Sequence, residues 1–184
     1  VFNGILDFNE IGFQHSVKRW HGFTFLNRVV DKALGRSSRH RSECSATISR
    51  MLVEKNTPLQ DCNTFGIVAS ADTLVRIRSS ADVQAFAAST HYQGRPVLVL
   101  GGGSNIVLTG DVVHAVVLKM EIPGIAVVAE TDSHWIIEAG AGVLWHDLVA
   151  WTVAHGYPGL ENLALVPGTV GAAPVQNIGA YGVE

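Results

Sequence analysis

Cysteine is scarce in this chain: Cys44 and Cys62 are the only two, and no C-x-x-C spacing occurs. That argues against a disulfide framework and a thiolate zinc site, and favours reduced thiols. The eight histidines are scattered singly, without H-x-x-x-H or H-E-x-x-H, so a metal site is not expected. No apolar run reaches the ~18 residues that cross a bilayer, and no charged-then-apolar leader opens the chain. A cytoplasmic protein without membrane, metal or nucleic-acid partners is the expectation. No Gly-Lys pair occurs, which removes the P-loop from consideration.

Proline is missing from the first 57 residues, and charge changes sign near the same place. Residues 1–50 carry eight Lys/Arg against four Asp/Glu, whereas residues 51–184 carry five against twelve. A basic head can serve as a nucleic-acid or membrane arm. Here its apolar residues follow neither a helical nor an alternating pattern, and the first methionine is Met51. Residues 1–50 are therefore read as an extension of doubtful relevance, such as translated upstream sequence. Residues 51–184 are read as the functional domain. With 47% hydrophobic and 16% charged residues, the chain is globular rather than disordered.

The most informative feature present is Gly101-Gly102-Gly103-Ser104-Asn105, directly after the apolar run Pro96-Val97-Leu98-Val99-Leu100. Three glycines at a strand end leave amide N–H groups free to converge on an anion, and Ser104 and Asn105 add side-chain donors. This suits a nucleotide pyrophosphate. The dinucleotide fingerprint G-x-G-x-x-G does not fit, because its last position falls on Ile106 and the following Ile106–Gly110 reads as a strand, not a helix. A ligand-free glycine turn between strands is the plainer alternative.

Around this loop, Thr73–Arg78 alternates and reads as a half-exposed strand, with Val75 and Ile77 on one face and Arg76 and Arg78 on the other. Ser80 can cap a helix over about 81–91, so a β-α-β unit with parallel strands ends on the glycine loop. Runs at 114–120, 124–130 and 134–139 suggest an antiparallel meander. Leu144–His155 reads as a helix with Leu144, Leu148 and Trp151 on its buried stripe; Trp145, Trp151 and His146 are read as packing and surface residues. The tail from Gly156 is rich in glycine and proline yet nearly uncharged. Small residues in Pro167–Pro174 and Asn177–Gly182 suit a wall against a flat, uncharged ring better than a plain loop.

Taken together, Asn63-Thr64-Phe65-Gly66, the loop at 100–105, Gly140-Ala141-Gly142 and the long run from Pro158 to Gly182 resemble the UDP-N-acetylenolpyruvoylglucosamine reductase family of peptidoglycan synthesis. The resemblance implies an α+β fold of the vanillyl-alcohol-oxidase (PCMH) type: a small β-α-β subdomain on an antiparallel sheet, with FAD between them. It implies that Gly101, Gly102, Gly103, Ser104 and Asn105 hold the FAD pyrophosphate. Val166, Pro167, Gly168, Gly171, Ala172, Ile178 and Gly179 would line the flavin, with Asn63 and Thr64 as an accessory wall. Tyr181 would face the UDP-sugar substrate; a buried tyrosine with one satisfied hydroxyl is the alternative for it.

The implied reaction passes hydride from NADPH through FAD to the double bond of UDP-N-acetylglucosamine enolpyruvate, giving UDP-N-acetylmuramate. The family's catalytic arginine, serine and glutamate belong to segments that would lie beyond Glu184, as does its substrate-binding C-terminal domain. Residues 1–184 alone are therefore expected to be inactive, with an exposed sheet edge. Two rivals remain: another FAD-linked oxidase on the same scaffold, and a non-catalytic FAD- or nucleotide-binding remnant. The absence of histidine between His91 and His114 disfavours the covalent flavin attachment common in such oxidases.

Overall fold

The computed structural model describes residues 51–132 and 134–183; the basic segment 1–50 lies outside the described residues. Strands β1 (Leu52–Pro58), β2 (Ser70–Ile77), β3 (Val97–Leu100) and β4 (Val112–Met120) form one mixed sheet in the order β1-β2-β4-β3. The β1–β2 pair is antiparallel, while β4 runs parallel to both β2 and β3. A separate antiparallel hairpin joins β5 (Ile125–Glu130) to β6 (Trp135–Ala139). Among the described residues, the α-helices α1 (Ser80–Ala88) and α2 (Trp145–Ala154) accompany these strands in an α+β architecture.

Strand β2 is more deeply buried than its alternation suggests. Thr73, Leu74, Val75 and Ile77 are all inaccessible, because both faces of the sheet are covered. On one face Val75, Ile77 and Val116 pack with Met51, Leu118 and Ala85 of α1; on the other Leu74 and Val117 pack with Leu59, Ala71 and Leu100. Arg76 keeps its charge at the rim. Its Nε donates to Glu54 at 2.6 Å and its Nη1 to Glu121, to which Arg78 Nε also donates at 3.2 Å. The hydrogen bond to Glu54, followed by that to Glu121, raises the Arg76 pKa and holds its guanidinium firmly charged.

The edge strand β1 was not legible: Glu54, Lys55 and Asn56 give it no alternation, and Pro58 closes it where an edge tolerates a missing donor. Helix α1 begins one residue earlier than expected, capped by Ser79, whose Oγ accepts from the Asp82 amide at 3.2 Å. It also ends at Ala88, and a short 3-10 turn over Thr90–Tyr92 follows.

Four expectations are corrected. Strands β2 and β3 are parallel, but β4 lies between them. Residues 106–110 are not a strand: they carry the chain back so that β4 can run parallel to β3, with Ile106 and Leu108 packed on the Leu74–Val117 cluster. A parallel pair needs such a crossover, and a crossing segment has no ladder partner. The expected three-stranded meander is therefore only the β5–β6 hairpin, since the run at 114–120 belongs to β4 of the four-stranded mixed sheet. In α2 the buried face is Trp145, Leu148, Val149 and Thr152, while Leu144 is the exposed residue that precedes the helix. Trp145 is indeed a packing residue, its Nε1 donating to the Leu163 carbonyl at 3.0 Å.

Candidate functional site

The glycine loop lies where three segments of chain meet, and Gly101 and Gly103 leave no room for a Cβ, while Gly102 packs at ordinary contact distance. A Cβ on Gly103, which has φ +69°, would stand 2.1 Å from the Cys62 carbonyl oxygen and 2.7 Å from Asn63 Cα. One on Gly102 would stand 3.4 Å from Gly168 Cα, and one on Gly101 2.7 Å from Thr169 Oγ1. The loop is thus pressed between the 62–64 segment and the tail at 168–169. The Thr64 amide donates to the Gly103 carbonyl at 3.1 Å, Lys119 Nζ to the Gly101 carbonyl, and Asn105 Nδ2 to Gln176 Oε1.

A second set of glycines brings the tail to α2. The Gly140–Gly142 turn passes so close to the end of β4 that a Cβ on Gly142 would lie 2.5 Å from Glu121 Cα. The Gly171 amide donates to the Ala141 carbonyl at 3.1 Å, Val170 to Val143 at 2.9 Å, and Trp145 to Gly168 at 3.0 Å. Val166 and Ile178 turn partly inward, onto the cluster around Trp145 and Leu163.

Between these walls opens a cleft of about 580 Å³. Gly102 and Thr169 form one part of its lining, Lys119 to Glu121 another, and Asp147 and Trp151 of α2 a third. Lys119 is its lining cation; Glu121 is already neutralised by Arg76 and Arg78. A separate hollow of about 280 Å³ lies within residues 177–183 of the tail.

Of the residues singled out from the sequence, Gly101, Gly102, Gly103, Ser104 and Asn105 come together with Asn63, Thr64 and Gly168. A Cβ on Gly168 would stand 3.3 Å from Ser104 Oγ. Gly171 lies next to Ala141, with Ala172 one residue on in the Val170–Ala172 turn. Ile178, Gly179 and Tyr181 belong instead to the tail hollow. Tyr181 is 86% exposed, so the buried, satisfied tyrosine is not what forms. Asn63 is buried, and its amide is spent on its own loop, bonded to Leu59, Gln60 and Ile67.

Sequence reasoning passed over Lys119, Asp147, Trp151, Thr169 and Gln176. Thr169 carried a signal, standing inside the small-residue run Pro167–Pro174. Lys119 carried none, because it reaches Gly101 only through the register that sets Leu100 against Lys119 in the β3–β4 pair.

Two features of this site fit a nucleotide diphosphate. Among the described residues, no hydrogen bond is donated by the amides of Gly102, Gly103, Ser104 or Asn105, so these donors remain for a ligand. The Thr169 hydroxyl is buried without a partner beside them. Glycine-loop amides, a lysine and a free hydroxyl at the mouth of a cleft are the parts of a nucleotide-binding domain. The chain belongs to the FAD-binding domain family, which it matches over residues 71–184, and FAD is the nucleotide concerned.

The relatives narrow this further. The chain is 54% identical over 138 residues to UDP-N-acetylenolpyruvoylglucosamine reductase of Azoarcus sp. (strain BH72), covering 73% of this chain and 40% of that protein. It is 58% identical over 127 residues to the protein of the same name from Cupriavidus pinatubonensis (strain JMP 134 / LMG 1197), covering 69% and 37%. The crystal structure of UDP-N-acetylenolpyruvylglucosamine reductase from Thermus caldophilus superposes with a TM-score of 0.52 at 26% identity, covering 71% of this chain and 44% of that one. The resemblance read from the motifs therefore holds. The chain spans about two fifths of the length of the curated relatives it matches.

Proposed function

We propose that residues 51–184 are the FAD-binding portion of a cytoplasmic NADPH-dependent oxidoreductase that reduces UDP-N-acetylglucosamine enolpyruvate to UDP-N-acetylmuramate for peptidoglycan synthesis. The observation that carries this reading is the set of unpaired Gly102–Asn105 amides in the loop whose Gly102 lines the cleft, in a chain whose relatives bear that reductase's name. Bound there, FAD supplies the hydride chemistry, and the protein supplies placement and polarity.

The residues divide the work by position. The amides of Gly102 to Asn105 hold the diphosphate, and Lys119 fixes the loop by binding the Gly101 carbonyl. Gly168, Gly171 and Ala172 let the backbone approach a flat ring system without side chains in the way. Val166 and Pro167 continue this wall, with Ile178 and Gly179 at its far end. Asn63 and Thr64 keep the outer wall in place, Thr64 by its bond to Gly103. Tyr181, exposed at the end of the tail, presents a phenol that can donate to a phosphate oxygen of the UDP-sugar while its ring packs on the sugar or base.

Titration of the full chain with FAD tests the reading. Saturable quenching of flavin fluorescence at one equivalent is expected, and a chain that leaves FAD fluorescence unchanged would overturn it. Described residues contain no group of three His, Cys, Asp or Glu side chains that could hold a metal ion, and no helix long and apolar enough to cross a membrane.

A further inference from the structure

Thr169 is 5% exposed, and its Oγ1 is the buried side-chain polar atom that lacks a hydrogen-bond partner among the described residues. A buried hydroxyl without a partner is destabilising, and valine has nearly the same shape without that cost. Threonine here is therefore unfavourable in the ligand-free fold. Its surroundings say what it is for. The hydroxyl points at Gly101, 2.7 Å from where a Cβ would stand, and the methyl points at Gly102, 3.8 Å from the equivalent place. Gly102 and Thr169 both line the cleft, and Lys119, which holds the Gly101 carbonyl, lines it too. Rotation about χ1 by about 120° brings the oxygen to the place the methyl holds, on the Gly102 side beside its unpaired amide, and moves the methyl to the third staggered position.

We propose that Thr169 is a binding residue for a nucleoside diphosphate: its hydroxyl turns from Gly101 toward Gly102 and donates to a phosphate oxygen held by the loop amides, with the Lys119 ammonium supplying the neighbouring positive charge. This inference rests on the reading of the domain as FAD-binding. It adds a ligand group from the tail to a loop that the sequence alone presented as sufficient. Lys119 in turn acts as a positioning residue for that loop.

Calorimetric titration of the full chain with FAD and with ADP, alongside ligand-free melting curves, tests it. Thr169→Val is expected to raise the ligand-free melting temperature, because the orphaned hydroxyl is gone. It is also expected to weaken both ligands by about tenfold or more, the loss of one charge-assisted hydrogen bond. Thr169→Ser keeps the hydroxyl and loses only the methyl, so affinity within about threefold of wild type supports the proposal on the same scale. A serine variant as weak as valine overturns it, since packing would then be the cause. A valine variant that binds ADP like wild type overturns this inference alone and leaves the FAD reading standing. If the wild-type chain binds neither FAD nor ADP, both fall.

Discussion

The side-chain amide of Asn63 pairs with both backbone groups of Ile67: Nδ2 donates to its carbonyl at 3.1 Å, and Oδ1 accepts from its amide at 2.9 Å. The same Nδ2 reaches the Leu59 carbonyl at 2.8 Å. One buried side chain thus closes the turn Asn63–Gly66 and anchors the wall against which Gly103 rests. Asn63→Ala would remove a hydrogen bond from four backbone groups at once, the Leu59, Gln60 and Ile67 carbonyls and the Ile67 amide. A loss of about 3 kcal/mol in unfolding free energy is expected by urea titration. A loss below about 1 kcal/mol would mean that water replaces the side chain and that the turn holds without it.

Gly103 and Gly66 both have positive φ, +69° and +62°, yet they make opposite demands. A Cβ at Gly103 collides with the Cys62 carbonyl and Asn63 backbone, whereas a Cβ at Gly66 meets nothing within 4 Å. Gly66→Ala is expected to cost about 1 kcal/mol, the left-handed penalty alone. Gly103→Ala is expected to cost more than about 4 kcal/mol or to abolish the cooperative melt, because backbone cannot give way to it. Equal melting temperatures for the two variants would show that the loop is not wedged between these segments.

How much of this was readable in advance follows from where each constraint lives. The glycine loop, the β3 run and helix α2 are local patterns, and the chain shows them as local patterns. The burial of Leu74 beside Val75 was not readable, because it depends on the loop at Leu59 covering the second face of the sheet. The 106–110 run misled for a related reason: its composition is that of a strand, but topology denies it a partner. Within the site, the loop and tail residues were nameable from their small size. Lys119 was not, since no pattern within β4 distinguishes a lysine that reaches the next strand's carbonyl from one that reaches water.

Among the described residues, Glu161 is a local source of acid sensitivity. The Glu161 carboxylate accepts hydrogen bonds from its own amide and from Gly159, the latter at 2.7 Å, and these hold its pKa below the ordinary carboxylate value. A depressed folded-state pKa gives stability that is present above the unfolded-state pKa and is lost as pH falls through the folded one. Glu161→Gln should therefore leave the melting temperature at acid pH nearly unchanged while lowering it at neutral pH. The variant and wild-type curves then converge on acidification. Curves that stay parallel across the carboxylate range would show that these bonds do not distinguish the ionised form.

Leu165 is held at φ +64° with 76% of its surface exposed. A branched side chain in the left-handed region costs about 1–2 kcal/mol, and so exposed a leucine recovers little of that by burial. The Leu165 amide donates to His146 Nδ1 at 3.3 Å, a bond that any residue type can make. Leu165→Gly removes the steric cost and adds about 0.5–1 kcal/mol of unfolded-state entropy, so a net gain of about 0.5–1 kcal/mol is expected. Leu165→Ala keeps the left-handed penalty and should melt close to wild type. A glycine variant that melts several degrees lower than both would show that the leucine side chain packs against something that its exposure does not reveal.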